Sequence, residues 1–159
     1  MDSMPVFPSA KQETRGWILR VTGLIRRKLE LSLYDLMKLK PVSITLDFEC
    51  LEGWVVPGTV WQGVKASTVI SLAHPLSTAN YAVFKSGNYT ESFPIDRMDE
   101  LVIAYHLYGK PIPSENGGPL RLVFTNQACY QSIKWLEEIE LTDKPVQGTA
   151  RDIALSRLR

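Results

Sequence analysis

The sequence predicts an α+β fold, with mixed β-sheets joined by short helices. Three observations predict it. Val42, Ile44, Leu46 and Phe48 alternate with Ser43, Thr45, Asp47 and Glu49, the period of a half-buried strand. Residues 81–85 and 90–95 read as two strands around a Ser86-Gly87-Asn88 turn. The helical patterns are short, and strands and helices do not alternate in the regular βαβ order of a parallel sheet.

Taken in order, residues 1–14 form a lead-in with two prolines and little periodicity. Trp17, Leu19 and Val21 then alternate in a strand that ends at Gly23. Ser32 followed by Asp35 has the spacing of a capping box, with Leu33, Leu36 and Met37 at helical positions behind it and Pro41 as a stop. The alternating strand from Val42 follows and delivers Cys50 in the same register at its carboxyl end. Residues 55–63, centred on Pro57-Gly58 and flanked by Trp54 and Trp61, read as a turn-rich loop. Residues 66–73 read as a short helix ended by Pro75, and residues 101–108 as an apolar strand or helix that periodicity alone does not separate. After Gly117-Gly118-Pro119, Leu120, Leu122 and Phe124 alternate as a strand with Arg121 on its opposite face. A last strand spans 133–141. Residues 15–145 thus form one domain, and residues 146–159 a tail able to make an amphipathic turn or two through Ile153, Leu155 and Leu158.

Composition excludes more than it identifies. A chain of 159 residues can bury ~70% of its unfolded surface and needs no disulfide or metal to fold. A net charge of +1 lacks the basic footprint of a nucleic-acid binder, and no apolar run reaches the ~18–20 residues of a membrane span. Met1-Asp2-Ser3-Met4-Pro5 has no basic flank followed by an apolar stretch, so the expected location is cytoplasmic. Cys50 and Cys129 cannot build a disulfide framework or, by themselves, a zinc site. No phosphate-cradling glycine loop is present. His74 and His106 lie far apart, the first reading as a solvated or capping group and the second as a satisfied structural histidine. Cys50 alone reads as a small buried hydrophobe, and a cysteine nucleophile would need one of those histidines as its base.

The neighbourhood of Cys50 carries a further signal. Cys50-Leu51-Glu52-Gly53-Trp54 leads into Trp61-Gln62-Gly63, then Gly109-Lys110-Pro111-Ile112-Pro113, then Asn116-Gly117-Gly118-Pro119-Leu120-Arg121-Leu122-Val123, and last Ser132-Ile133-Lys134-Trp135-Leu136. In order and spacing this set resembles the molybdopterin-binding domain of the sulfite oxidase family, over about residues 17–144. It is most similar to the branch containing the bacterial methionine-sulfoxide reductase catalytic subunit.

The resemblance implies a sulfite oxidase-type fold and a molybdenum cofactor (molybdopterin) for residues 15–145. It implies an oxidoreductase that transfers an oxygen atom to or from a small substrate in a two-electron reaction, reset by a separate electron-transfer protein. Cys50 matches the thiolate that binds molybdenum directly, a soft donor suited to a sulfur-rich centre. Ser86, Asn116, Arg121, Ser132, Ile133 and Lys134 match positions that hold the pterin and its phosphate, with backbone amides and the lysine closing on the phosphate end. Taken singly, Arg121 and Lys134 read as solvated strand residues, and Asn116 and Ser86 as turn formers. Lys65, Lys85 and Arg97 are candidate anion-steering charges. Leu51, Glu52 and Gly53 stand where sulfite-oxidising members carry arginines, which argues against sulfite as substrate. The segment 127–131, Gln-Ala-Cys-Tyr-Gln, replaces a more glycine-rich and basic one, and brings Cys129 into question as a cofactor neighbour. The alternative reading is a non-catalytic or degenerate molybdopterin-binding module.

Overall fold

The fold is seen in a computed structural model that describes residues 16–49, 55–125, 131–150, 153 and 155. Its strands form two five-stranded sheets with few and short helices, the α+β architecture the sequence predicts. The first sheet has the order β2-β1-β10-β5-β6, from β1 (Ile18–Gly23), β2 (Leu29–Ser32), β5 (Tyr81–Ser86), β6 (Tyr89–Pro94) and β10 (Glu138–Thr142). Only the β1–β10 pair in it is parallel. The second sheet runs β3 (Val42–Glu49), β4 (Val55–Lys65), β7 (Val102–Leu107) and β8 (Lys110–Pro111), with β9 (Arg121–Val123) also paired to β7.

Local chemistry explains the boundaries. Helix α1 (Leu33–Met37) begins at a complete capping box, with Asp35 N–H donating to Ser32 Oγ and Ser32 N–H to Asp35 Oδ2. The Ser32 amide, ahead of the hydroxyl, holds the Asp35 carboxyl below its ordinary range. Helix α2 (Ala66–Ser71) is the short helix read before Pro75. The β5–β6 turn is Gly87-Asn88, and Gly87 takes the positive φ of +59° that a two-residue hairpin turn requires. The ambiguous apolar run resolves as strand β7.

Two element readings change. Residues 55–63 form most of β4, not a loop. Pro57 and Gly58 fall where the β3–β4 register shifts between Leu46 and Phe48, so the turn residues make a bulge and pairing continues past it. Gly58 N–H donates to Asp47 Oδ1 across that bulge. The last strand begins at Glu138 instead of 133, because Trp135 has φ +52° and interrupts the extended run.

Apolar side chains form two clusters. The main core lies between the sheets and holds Leu19, Val64, Phe84, Ile103, Leu122, Ile133 and Ile139. A smaller cluster covers the other side of the second sheet, with Leu46, Trp61, Val102, Ala104, Leu107, Ile112 and Val123. Because β9 alternates, Leu122 points to the main core while Val123 joins the second cluster, and Arg121 shares Val123's side. The candidate site is built on that side.

Candidate functional site

Strand β9 and the segment 132–136 position the site together. Leu122 N–H donates to Ile133 O at 3.0 Å, Leu136 N–H to Leu120 O at 3.0 Å, and Arg121 and Lys134 form an isolated antiparallel bridge. These bonds place residues 121 and 134 side by side, although thirteen positions separate them in the chain.

Arg121 is 1% exposed, an unusual state for a guanidinium. Its partners explain how the fold tolerates it. Nε donates to Ser132 Oγ at 2.8 Å, and Nη1 donates to Asn116 O at 2.8 Å. The guanidinium carbon lies 5.4 Å from the centre of the Trp61 ring, within cation–π range. Trp61 is itself fixed, since its Nε1–H donates to Thr59 Oγ1 and that hydroxyl donates to Leu46 O. Ser132, 2% exposed, accepts from Arg121 and donates its own proton to Leu122 O at 2.8 Å. Ser132 therefore orients the arginine.

The third side is a turn. A 3₁₀ segment, Ser114–Asn116, ends at Gly117 with φ +92°. Gly117 O accepts from Trp135 N–H at 2.9 Å, and Ser114 O accepts from Trp135 Nε1–H at 2.8 Å. Lys134 is half-buried, with its ammonium 6.0 Å from the centre of the Trp135 ring. Two cationic side chains thus stand at bridged positions on a scaffold of backbone bonds, Arg121 against the buried Trp61 and Lys134 beside the half-buried Trp135. Chemically this is a fixed positive locus, suited to a phosphate or another compact anion.

Of the residues read from the sequence, Asn116, Arg121, Ser132 and Lys134 come together here. Ile133 contributes its backbone carbonyl, and its side chain is fully buried in the main core. Ser86 stands apart, at the β5–β6 hairpin of the first sheet, where it pairs with Tyr89. Arg121, expected on a strand face opposite the core, does lie there, but the second cluster covers that face. Two of the proposed steering charges are already paired. Lys85 Nζ is 2.6 Å from Glu140 Oε1, while Arg97 reaches Glu100 at 3.2 Å and lies over the Phe93 and Phe124 rings. His74 is exposed, and His106 Nδ1 lies 3.3 Å from Gln62 Oε1. Cys50 and Cys129 lie outside the described residues. Sequence reasoning missed Thr59, Gly117 and Trp135 as parts of the site. Gly117 and Trp135 stand within two of the segments that carry the family resemblance, but neither is assigned a role there.

Known proteins are similar to this chain in sequence and in fold. The family model described as the oxidoreductase molybdopterin binding domain matches residues 5–150. YuiH of Bacillus subtilis, named an uncharacterized oxidoreductase, is 32% identical over 140 residues, covering 86% of this chain and 71% of that protein. The protein-methionine-sulfoxide reductase catalytic subunit MsrP of Campylobacter jejuni is 30% identical, covering 90% of this chain and 54% of its own. MsrP of Xanthomonas campestris is 33% identical, covering 86% and 48%. The chain therefore spans about half the length of these MsrP proteins. Among solved structures, the sulfane dehydrogenase SoxCD of Paracoccus pantotrophus superposes with a TM-score of 0.80 at 20% identity, over 87% of this chain and 41% of that one. SoxCD shares the fold, the family model spans nearly the whole chain, and the relatives by sequence are named as oxidoreductases. The chain belongs to the oxidoreductase molybdopterin-binding domain family.

Proposed function

We propose that this chain binds molybdopterin and carries out two-electron oxygen-atom transfer on a small substrate. The observation that carries the proposal is the Arg121–Ser132–Lys134 locus: a buried arginine held by Ser132 Oγ and Asn116 O, bridged through the backbone to Lys134. Its donor chemistry fits a phosphate-bearing cofactor. Lys134, the more accessible cation, would meet the phosphate, with the fixed charge of Arg121 behind it. Backbone groups around Ile133 would close on the same end, and Asn116 and Ser86 are the remaining candidate contacts. Cys50 would supply the protein's thiolate to the metal. Bound there, the cofactor would supply a sulfur-ligated molybdenum centre competent for oxygen-atom transfer.

The names of the MsrP relatives make a sulfoxide the first substrate to test. Reducing a sulfoxide to a thioether takes up two electrons and two protons and releases water. We propose a separate redox protein as the electron source.

The test is metal and pterin analysis of the protein purified from molybdenum-replete cells. Stoichiometric molybdenum and pterin, with molybdenum lost in Cys50→Ala and pterin weakened in Lys134→Ala, is the expected result. Absence of both from well-folded protein overturns the proposal. Bound pterin without turnover of any sulfoxide or other oxygen-atom donor would instead establish a binding module.

A further inference from the structure

We propose that Gly117 is a positioning residue: its missing side chain is what allows the Lys134 stem to lie against Arg121, so that both cations serve one anion. This rests on the proposed role of Lys134 at the cofactor phosphate. A Cβ at Gly117 would stand 2.7 Å from Lys134 Cγ, 2.9 Å from Lys134 Cβ and 3.2 Å from Arg121 Cδ. The two lysine atoms sit next to a backbone that the bridge between residues 121 and 134 holds in place, and Arg121 Cδ is tethered by the neighbouring Nε bond to Ser132. They cannot swing aside as a lysine head group can, so an added methyl must displace one stem or the turn itself.

The backbone makes the same demand. Gly117 has φ +92°, where side-chain-bearing residues are strained. From that conformation its carbonyl reaches Trp135 N–H at 2.9 Å. Trp135 is held in turn at φ +52°, a rare setting for a large residue, and its indole N–H is anchored on Ser114 O. Lys134 is therefore fixed from two directions. The bridge to Arg121 sets its backbone on one side, and the Gly117–Trp135 bond sets the following residue on the other. Two like charges brought to neighbouring positions repel, and an anion seated against both converts that repulsion into attraction.

The experiment is a thermal-stability cycle on cofactor-free protein with Gly117→Ala, Lys134→Gly and the double variant. Pterin and molybdenum occupancy is also measured on protein made in replete cells, at a temperature where all forms are folded. The strain of φ +92° is common to both backgrounds, while the contacts with the Lys134 stem exist only when that stem is present. Gly117→Ala is therefore expected to lower Tm at least twice as much in the wild-type background as in Lys134→Gly. It is also expected to cut pterin occupancy to a tenth or less. Equal Tm losses in the two backgrounds, or unchanged occupancy in Gly117→Ala, overturn the inference. If Gly117→Ala is insoluble, a soluble double variant supports it and an equally insoluble one overturns it. Full occupancy in Lys134→Ala sinks the reading of Lys134 as the phosphate contact, separately from the packing result.

Discussion

Removing the Ser132 hydroxyl tests whether Arg121 depends on it. Ser132→Ala keeps the Cβ and opens almost no cavity, so its cost is nearly all hydrogen bonding. The Arg121 Nε–H loses an acceptor at 2.8 Å in a place where the side chain is 1% exposed. A hydrogen bond to a charged group contributes about 1.5–3 kcal/mol, and a buried donor left unmatched keeps its desolvation cost. Leu122 O also loses a donor at 2.8 Å, a further ~1 kcal/mol. Together the loss is about 2.5–4 kcal/mol, or a Tm lower by about 5–16 °C in a chain of this size. Urea unfolding gives the free energy, and a cycle with Arg121→Met separates its parts. With no guanidinium to satisfy, Ser132→Ala should cost only the Leu122 share, ~1 kcal/mol. A loss under ~1 kcal/mol in the wild-type background, or no coupling between the two sites, would refute the view that Ser132 orients Arg121.

Thr59→Val tests the support under Trp61. It strands the Trp61 indole N–H and Leu46 O together, for an expected loss of about 1–3 kcal/mol in urea unfolding with an unchanged m-value. Two carboxyls should shape the pH profile of stability in opposite senses. Burial raises the Glu91 pKa above its ordinary value, so its contribution is complete at acid pH and is lost as pH rises through that raised value. Glu91→Gln should then raise Tm at neutral pH by about 1–3 °C and leave it unchanged near pH 4. Burial also pushes Glu138 upward, but bonds from Thr22 and Arg20 and the charges of Lys85 and Arg20 outweigh it and hold the carboxyl low. Its contribution is present at neutral pH and lost as pH falls through the lowered value, so Glu138→Gln should destabilise at pH 7 and converge with wild type in acid. Calorimetry across that pH range reads both. Thr149 ties the C-terminal segment to the edge of β6, with its amide on Thr90 O at 3.0 Å and its hydroxyl accepting from Thr90 N–H at 2.9 Å. Thr149→Val should speed exchange of the Thr90 amide about tenfold, the equivalent of ~1.4 kcal/mol, and unaltered protection there would show that the tail does not guard the edge.

What the sequence reveals about this site, and what it conceals, follows from the range of each interaction. The capping box at Ser32 and Asp35, the alternation of β3 and the Gly87-Asn88 hairpin are set by residues a few positions apart, and all three are legible. The bulge at Pro57-Gly58 is not, because the same residues end a strand or interrupt it depending on whether a partner continues beyond them. Here β3 does continue. Arg121 shows the limit most clearly. Periodicity assigns it to the face opposite Leu120, Leu122 and Phe124, yet a face has no intrinsic cover. Its cover comes from Trp61, sixty positions earlier, and its acceptors come from Ser132 and Asn116. Only the resemblance to a family joined those segments before the fold did. The burial itself is informative. A solvated arginine on a strand surface costs little, whereas a guanidinium under a tryptophan must recover its lost hydration through fixed acceptors. That arrangement is a poor way to stabilise a fold, since an apolar side chain would fill the same space without the desolvation cost. Its advantage is a positive charge whose position no longer depends on side-chain rotamers or water. An anion site gains from charge oriented before the ligand arrives, and the Arg121 locus meets that requirement.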